Sequence, residues 1–269
     1  MTIFEAIILG IIQGATEFLP ISSSGHLVLL PHIFNMAEPD LALIAIIHEG
    51  TLLAVLIYFR RDVWQIAKAV WSALRQRRPL ATVESRLGWY IVVGSIPAAM
   101  AGLLLEEFFE RTFVTPTVAA SFLLVTATFL IAGERILSGR KDVGEMSWLD
   151  AIAVGLFQML ALFPGLSRSG STIAAGLWRG LDRTAAARYS FLLGIPAFFG
   201  AGLLSAFDIL AAGDLIARLP VFAVSFAAAA VSGYVCIHFL LSWLRQRSLY
   251  VFALYCATFG ATFLLFALL

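Results

Sequence analysis

Two short stretches of this chain gather the residue types that handle phosphate. The first holds Gln13, Glu17, Ser22, Ser23, Ser24, Gly25 and His26; the second holds Ser167, Arg168, Ser169, Gly170, Ser171 and Thr172. Cleaving a phosphate bond takes a nucleophile, a group that moves protons, and positive charge for the oxygens. Ser23 is the candidate nucleophile, Glu17 and His26 the candidate acid–base groups. Arg168 supplies fixed charge, and its guanidinium matches phosphate oxygens in pairs. Gln13 and Glu17 are four apart, hence on one helix face and aimed at one spot. A short apolar helical segment follows each turn, so Ser22, Ser24, Gly25, Ser167 and Ser169 stand at helix N-termini. Free N–H groups and the helix dipole make such ends anion sites.

Blander roles are open to the same residues. Serine-rich turns satisfy their own backbone, Arg168 can be a structural ion pair with Glu17, and His26 can cap a helix. Glu5, His48, Glu49 and His238 lie in or beside apolar runs, where polar tuning of packing or a water cavity is the favoured reading.

Elements that place these groups follow from composition. Only 13% of the 269 residues are charged and 61% are hydrophobic, against about 25% charged in a soluble domain. Lipid therefore takes the place of water. A bilayer core of about 30 Å needs roughly 20 apolar residues per helix. Six runs qualify: Leu41–Phe59, Leu87–Leu105, Val114–Ala132, Tyr189–Leu210, Leu219–Leu240 and Leu249–Leu269. No run alternates as barrel strands do. Residues 3–34 and 148–178 instead break at Pro20–His26 and Pro164–Thr172, and neither half of either segment can cross alone. Polar turns at membrane depth are tolerated only around a cavity, so both read as re-entrant helix–loop–helix hairpins. The fold expected is an all-α integral membrane protein, one membrane domain over residues 1–269, with six transmembrane helices and two such hairpins.

An internal repeat relates the hairpins. At an offset of 145, Ala6/Ala151, Ile7/Ile152, Gly10/Gly155, Gln13/Gln158, Phe18/Phe163, Ser22/Ser167, Ser24/Ser169 and Gly25/Gly170 coincide, eight matches in 20 ungapped positions. Three spans separate the copies, so the second (about 148–269) is inverted relative to the first (about 1–133). Such repeats bring their broken helices together near the midplane. Fifteen of the 18 basic residues fall in four clusters, 60–86, 135–141, 179–188 and 245–247. Positive-inside bias puts these in the cytoplasm and both chain ends outside. Glu38, Asp40, Glu106, Glu107, Glu110, Asp208 and Asp214 then face the outer side. The first 21 residues, with no basic leader and with Glu5, Gln13 and Glu17 among them, do not read as a cleavable signal. A net charge of +1 excludes a basic nucleic-acid surface. Cys236 and Cys256 read as packing residues. Ala227–Ala230 and Gly200-Ala201-Gly202 permit close helix contacts within a protomer or in a homodimer.

The stretch Gln13-Gly14-Ala15-Thr16-Glu17-Phe18-Leu19-Pro20-Ile21-Ser22-Ser23-Ser24-Gly25-His26, with Pro164–Thr172, resembles the two signature motifs of the undecaprenyl-diphosphate phosphatase (bacitracin-resistance) family. The resemblance spans the whole chain and both motifs are specific. It implies hydrolysis of undecaprenyl diphosphate to the monophosphate and inorganic phosphate, at the outer side of the bacterial inner membrane. That reaction recycles the lipid carrier of cell-wall precursors. By resemblance Ser23 is the nucleophile, Glu17 the essential glutamate, His26 the motif histidine and Arg168 the phosphate-binding arginine. Ser167, Ser169 and Thr172 match polar residues of the second motif. The family also implies a divalent cation, Mg²⁺ or Ca²⁺, for which Glu17 and Gln13 are the candidate ligands. Gln13 stands where several members have Glu, which leaves one carboxylate and weakens two-carboxylate chelation.

Two rivals stand beside this reading. Acid phosphatases with a histidine nucleophile share Ser-Gly-His and Ser-Arg elements, but their upstream Lys-x6-Arg-Pro and terminal His-x3-Asp are missing here. A transporter or flippase of the polyprenyl phosphate carrier would use the same inverted architecture. A serine backed by Glu and His beside an arginine is arranged to react rather than to release its anion intact.

Overall fold

In a computed structural model the chain is all-helical among its described residues. These exclude positions 35, 36, 38, 106, 107, 110–114, 138, 213, 214 and 269, and the side chains of 207, 208, 210–212 and 268. Of the acidic residues assigned to the outer side, Glu38, Glu106, Glu107, Glu110 and Asp214 lie outside the described set, as does the side chain of Asp208. The helices are α1 (Ile3–Phe18), α2 (Ser23–Phe34), α3 (Leu41–Tyr58), α4 (Arg60–Arg75), α5 (Val83–Leu104) and α6 (Pro116–Ile136). They continue as α7 (Trp148–Leu160), α8 (Arg168–Trp178), α9 (Arg183–Ala212), α10 (Leu215–Leu244) and α11 (Tyr250–Leu268). Six of them, α3, α5, α6, α9, α10 and α11, are long and apolar enough to cross a membrane.

The remaining apolar helices, α1 and α2 and then α7 and α8, are shorter and break at the two polar turns. Breaks at those places follow from local chemistry. In the first, Leu19-Pro20 takes the chain out of α1, and Ser22 sits at φ +70°, a left-handed conformation costing about 1–3 kcal/mol in a non-glycine residue. In the second, Gly165 takes φ +88°, and a Cβ there would stand 1.9 Å from the Ala119 carbonyl oxygen. Only glycine fits.

Both short pairs begin alike. Thr2 caps α1 and Glu5 bonds back to it; Ser147 caps α7 and Asp150 does the same. These are reciprocal capping boxes, and both of their members are 145 positions apart. Glu5, set aside in the sequence as polar tuning, is thus a capping residue.

Packing crosses between the halves. Helix α1 lies along α10 and α7 lies along α5, while α6 pairs with α11 and α3 with both α9 and α10. Gly10 lets α1 approach α10, since a Cβ would meet the Ser225 carbonyl oxygen at 2.3 Å. Gly155 does the same for α7 against the Gly94 carbonyl oxygen, also at 2.3 Å.

Ion pairs join the basic clusters at one end of the bundle. Arg188 pairs with Asp62, Arg179 with Asp150 at 2.8 Å, and Lys141 with Asp150 at 3.5 Å. Arg183 binds Glu134 at 2.5 Å, and Glu134 also accepts from the Leu249 N–H at 2.8 Å. These pairs explain why α9 starts at Arg183, six residues before its apolar run: partners let charged residues continue the helix.

One element departs from the sequence reading. The 60–86 region, read as a loop, holds helix α4. Its Ile66 and Val70 pack on α5 at Gly88, where a Cβ would meet Val70 Cγ2 at 2.5 Å. Trp64 and Trp71, seven residues apart, are exposed on another face. Such an amphipathic helix settles at a membrane interface, and its basic residues hid it as a loop. Cys236 and Cys256 are free, as expected.

Candidate functional site

The two turns meet. Ser24 Oγ accepts from the Gly165 N–H at 3.2 Å, and Ser169 donates to the Leu19 carbonyl at 3.2 Å. Thr126, from α6, ties the second turn by donating to the Gly165 carbonyl at 3.1 Å and accepting from Ser167 N at 2.9 Å.

Glu17 is the hub, 4% exposed. Its Oε1 accepts from Arg168 Nη2 at 3.0 Å. Its Oε2 accepts from the Ser23 hydroxyl at 2.5 Å and from Gln13 Nε2 at 3.0 Å. A hydroxyl on a carboxylate at that distance is a charge-assisted hydrogen bond, and it aims the Ser23 proton at a base. Arg168 is fixed by the Ser190 carbonyl at 2.9 Å and by the Phe198 ring, 4.7 Å from its Cζ. Its Nε is buried with no hydrogen-bond partner among the described residues, as is Ser171 Oγ three residues on. Buried donors without acceptors cost stability.

Ser23 opens α2 and Arg168 opens α8. Ser22 Oγ caps α2 through Gly25 N at 3.2 Å, and Ser167 Oγ caps α8 through Gly170 N at 3.0 Å. The first two N–H groups of each helix, on Ser23, Ser24, Arg168 and Ser169, are left without intrahelical acceptors. Most hydroxyls proposed for phosphate serve the frame instead. Ser22 and Ser24 bond each other, as do Ser167 and Ser169, and Thr172 bonds the Arg168 carbonyl and Ser190.

His26 is placed differently from the other candidates. It is buried, with Nδ1 2.7 Å from the Ser22 carbonyl oxygen and Nε2 2.6 Å from the Tyr255 hydroxyl. Its ring stacks on Phe259. Both nitrogens are engaged away from Glu17. The residue beside Glu17 is His48, with Nε2 3.7 Å from Oε2. From the sequence, polar tuning of packing or a water cavity was the favoured reading for His48, its role otherwise open, and Thr126, Ser190, Phe198 and Tyr255 were passed over. Thr126 shares its apolar span with Thr115, Thr117 and Thr128, so no local pattern singled it out, and Phe198 gave no signal.

As a metal centre the Gln13–Glu17 pair does not fit. Gln13 Oε1 is buried without a hydrogen-bond partner among the described residues, but both Glu17 oxygens already accept from donors, one of them a guanidinium. Among the described residues no three His, Cys, Asp or Glu side chains gather to hold an ion.

A polytopic helical membrane protein with one carboxylate–serine–arginine cluster between two broken-helix turns is the class that fold and site define. The chain matches the family model of the bacitracin resistance protein BacA over residues 6–262, and it belongs to that family. It is 44% identical to the undecaprenyl-diphosphatase of Thermomicrobium roseum over 98% of both chains. It is 42% identical to that of Myxococcus xanthus over 98% of this chain and 89% of the relative. With that of Methanosphaera stadtmanae it shares 44% identity over 97% and 96%.

Proposed function

We propose that this chain is an undecaprenyl-diphosphatase, removing the terminal phosphate of undecaprenyl diphosphate and so conferring bacitracin resistance. The observation that carries this reading is the Ser23–Glu17–Arg168 chain of contacts across the two turns. The Ser23 oxygen attacks the terminal phosphorus as Glu17 takes its proton. The bridging P–O bond breaks, and its electron pair leaves on the carrier monophosphate. Arg168 and the N–H groups of the two helix ends hold the phosphoryl oxygens, where preorganised donors stabilise developing charge. Once Glu17 has released that first proton to solvent and is a carboxylate again, water attacks the phosphoserine and gives its proton to Glu17. Inorganic phosphate departs and Ser23 regains its proton. His26 acts here as a positioning residue that pins the Ser22 turn. Ser22, Ser24, Gly25, Ser167, Ser169 and Thr172 shape the two phosphate-holding ends. No step runs through a cation.

In the same reading the chain is one membrane unit in which residues 3–34 and 148–178 are re-entrant hairpins of an inverted repeat. Support comes from the exchanged packing of α1 on α10 and α7 on α5, and from paired capping boxes and glycines at an offset of 145. The joined basic clusters face the cytoplasm by positive-inside bias, and the turns open to the outer face of the plasma membrane. A serine hydrogen-bonded to a carboxylate serves bond cleavage rather than passage of an intact anion, which disfavours transport alone.

The test is purified protein in detergent with undecaprenyl diphosphate as substrate. Inorganic phosphate and carrier monophosphate should appear in equal amounts. An intact diphosphate after prolonged incubation with folded protein would overturn the reading.

A further inference from the structure

His48 has a geometry that its place in an apolar span did not announce. Its Nδ1 lies 2.8 Å from the Ile44 carbonyl oxygen. A carbonyl only accepts, so Nδ1 carries the hydrogen and Nε2 is the free position of the neutral ring. That nitrogen is 3.7 Å from Glu17 Oε2, the same oxygen that accepts the Ser23 hydroxyl. A bare Nε2 and a carboxylate oxygen are both acceptors. Facing each other, they make a place for one proton.

The surroundings suit transfer. From α9 the ring meets Phe198 at 6.0 Å, the residue that also carries the Arg168 guanidinium. Glu17 faces it from α1, with Arg168 of α8 on the far oxygen of that carboxylate. Glu49 is next along α3, and its carboxylate packs at Gly202 of α9. Towards α10 the same turn presents Gly50, close to the Phe226 carbonyl. The His48 side chain is 26% exposed against 4% for Glu17, so its far edge reaches outside the site.

We propose that His48 is the proton-transfer partner of Glu17. The inference rests on the phosphatase reading and supplies what its two steps require. Glu17 takes the Ser23 proton as the O–P bond forms, yet it must be a carboxylate again to take the proton of the attacking water. His48 Nε2 accepts that first proton from Oε2 and passes it to bulk water. In the second step the water proton goes to Glu17 and returns to Ser23 as the phosphoserine bond breaks. His26, with both nitrogens engaged, takes no part in this exchange.

The experiment compares pH–rate profiles of phosphate release for wild type, His48→Gln, His48→Ala and His26→Ala in detergent. Loss of a proton-transfer group lowers the rate about 10²-fold or more. We expect that drop in kcat for both His48 variants with KM changed less than about twofold. The limb that an imidazole contributes should vanish from both His48 profiles and persist in His26→Ala. Added imidazole should restore turnover to His48→Ala in proportion to its concentration. Either a His48→Gln enzyme at wild-type rate, or a profile lowered equally at every pH with no response to imidazole, overturns the proposal. Monodisperse elution of each variant confirms its folding, and should His48→Ala fail it, the shape of the His48→Gln profile decides alone. A wild type that releases no phosphate would instead defeat the phosphatase reading.

Discussion

Replacing Glu17 by Gln keeps the side chain's size and removes its charge, which separates the two tasks the structure gives it. The Glu17 side chain is 4% exposed and that of Arg168 is 13%, so the guanidinium would be left in a buried site without its counter-ion. Breaking such a pair from one side costs about 3–5 kcal/mol. The Ser190 carbonyl at 2.9 Å and the Phe198 ring at 4.7 Å remain, and the new amide oxygen can still accept from Nη2. The loss should therefore fall at the low end, about 3 kcal/mol. Activity should drop further, about 10²–10⁴-fold, because an amide cannot take the Ser23 proton. Thermal unfolding in detergent and phosphate release read the two effects separately. Inorganic pyrophosphate brings negative charge to Arg168 and should raise the midpoint of Glu17→Gln more than that of wild type. A variant as stable as wild type and within about tenfold of its rate would refute both the buried pair and the base.

Arg168→Lys keeps a positive charge but loses the planar donor set, so kcat should fall about 10²–10³-fold; near-normal turnover would mean that a point charge suffices. Gly155→Ala places a methyl 2.3 Å from the Gly94 carbonyl oxygen and should cost about 1–3 kcal/mol by overpacking. Gly102→Ala, which meets nothing within 4 Å, is the control and should not lower the unfolding temperature. With Cys236 and Cys256 removed, cysteines at Leu19 and Ser169, whose backbone oxygen and hydroxyl are 3.2 Å apart, should cross-link within one chain and stop turnover. Cysteines at Ser24 and Lys68 should not react; the opposite pattern would contradict the meeting of the two turns.

Much of this arrangement was legible because the membrane makes sequence patterns blunt. An apolar run uninterrupted by charge has few fates in lipid, so the six long helices and the breaks at Pro20 and Pro164 could be read directly. Helix ends were less legible. Arg183 and Arg188 extend α9 only because Glu134 and Asp62 wait for them, and those pairings depend on tertiary contact. Helix α4 was hidden by counting its arginines rather than the spacing of Val63, Ile66 and Val70. At the site, Glu17, Ser23 and Arg168 were recognisable by type and spacing. Their supporting residues were not: Thr126, Ser190 and Phe198 act through distances between separate helices, which no local pattern records. The two histidines show the limit most clearly. His26 belongs to the motif and His48 does not, yet it is His48 that faces the carboxylate.

The central claim is that Ser23, activated by Glu17, attacks the terminal phosphate. The most direct test is a single turnover of purified protein with undecaprenyl diphosphate labelled in that phosphate and quenched in acid at successive times. Wild type should pass the label through a peptide containing Ser23 before it appears as inorganic phosphate. Ser23→Ala should hold no label and release phosphate about 10³-fold more slowly or not at all. Release by Ser23→Ala at the wild-type rate, with no label ever on the wild-type protein, would contradict the account.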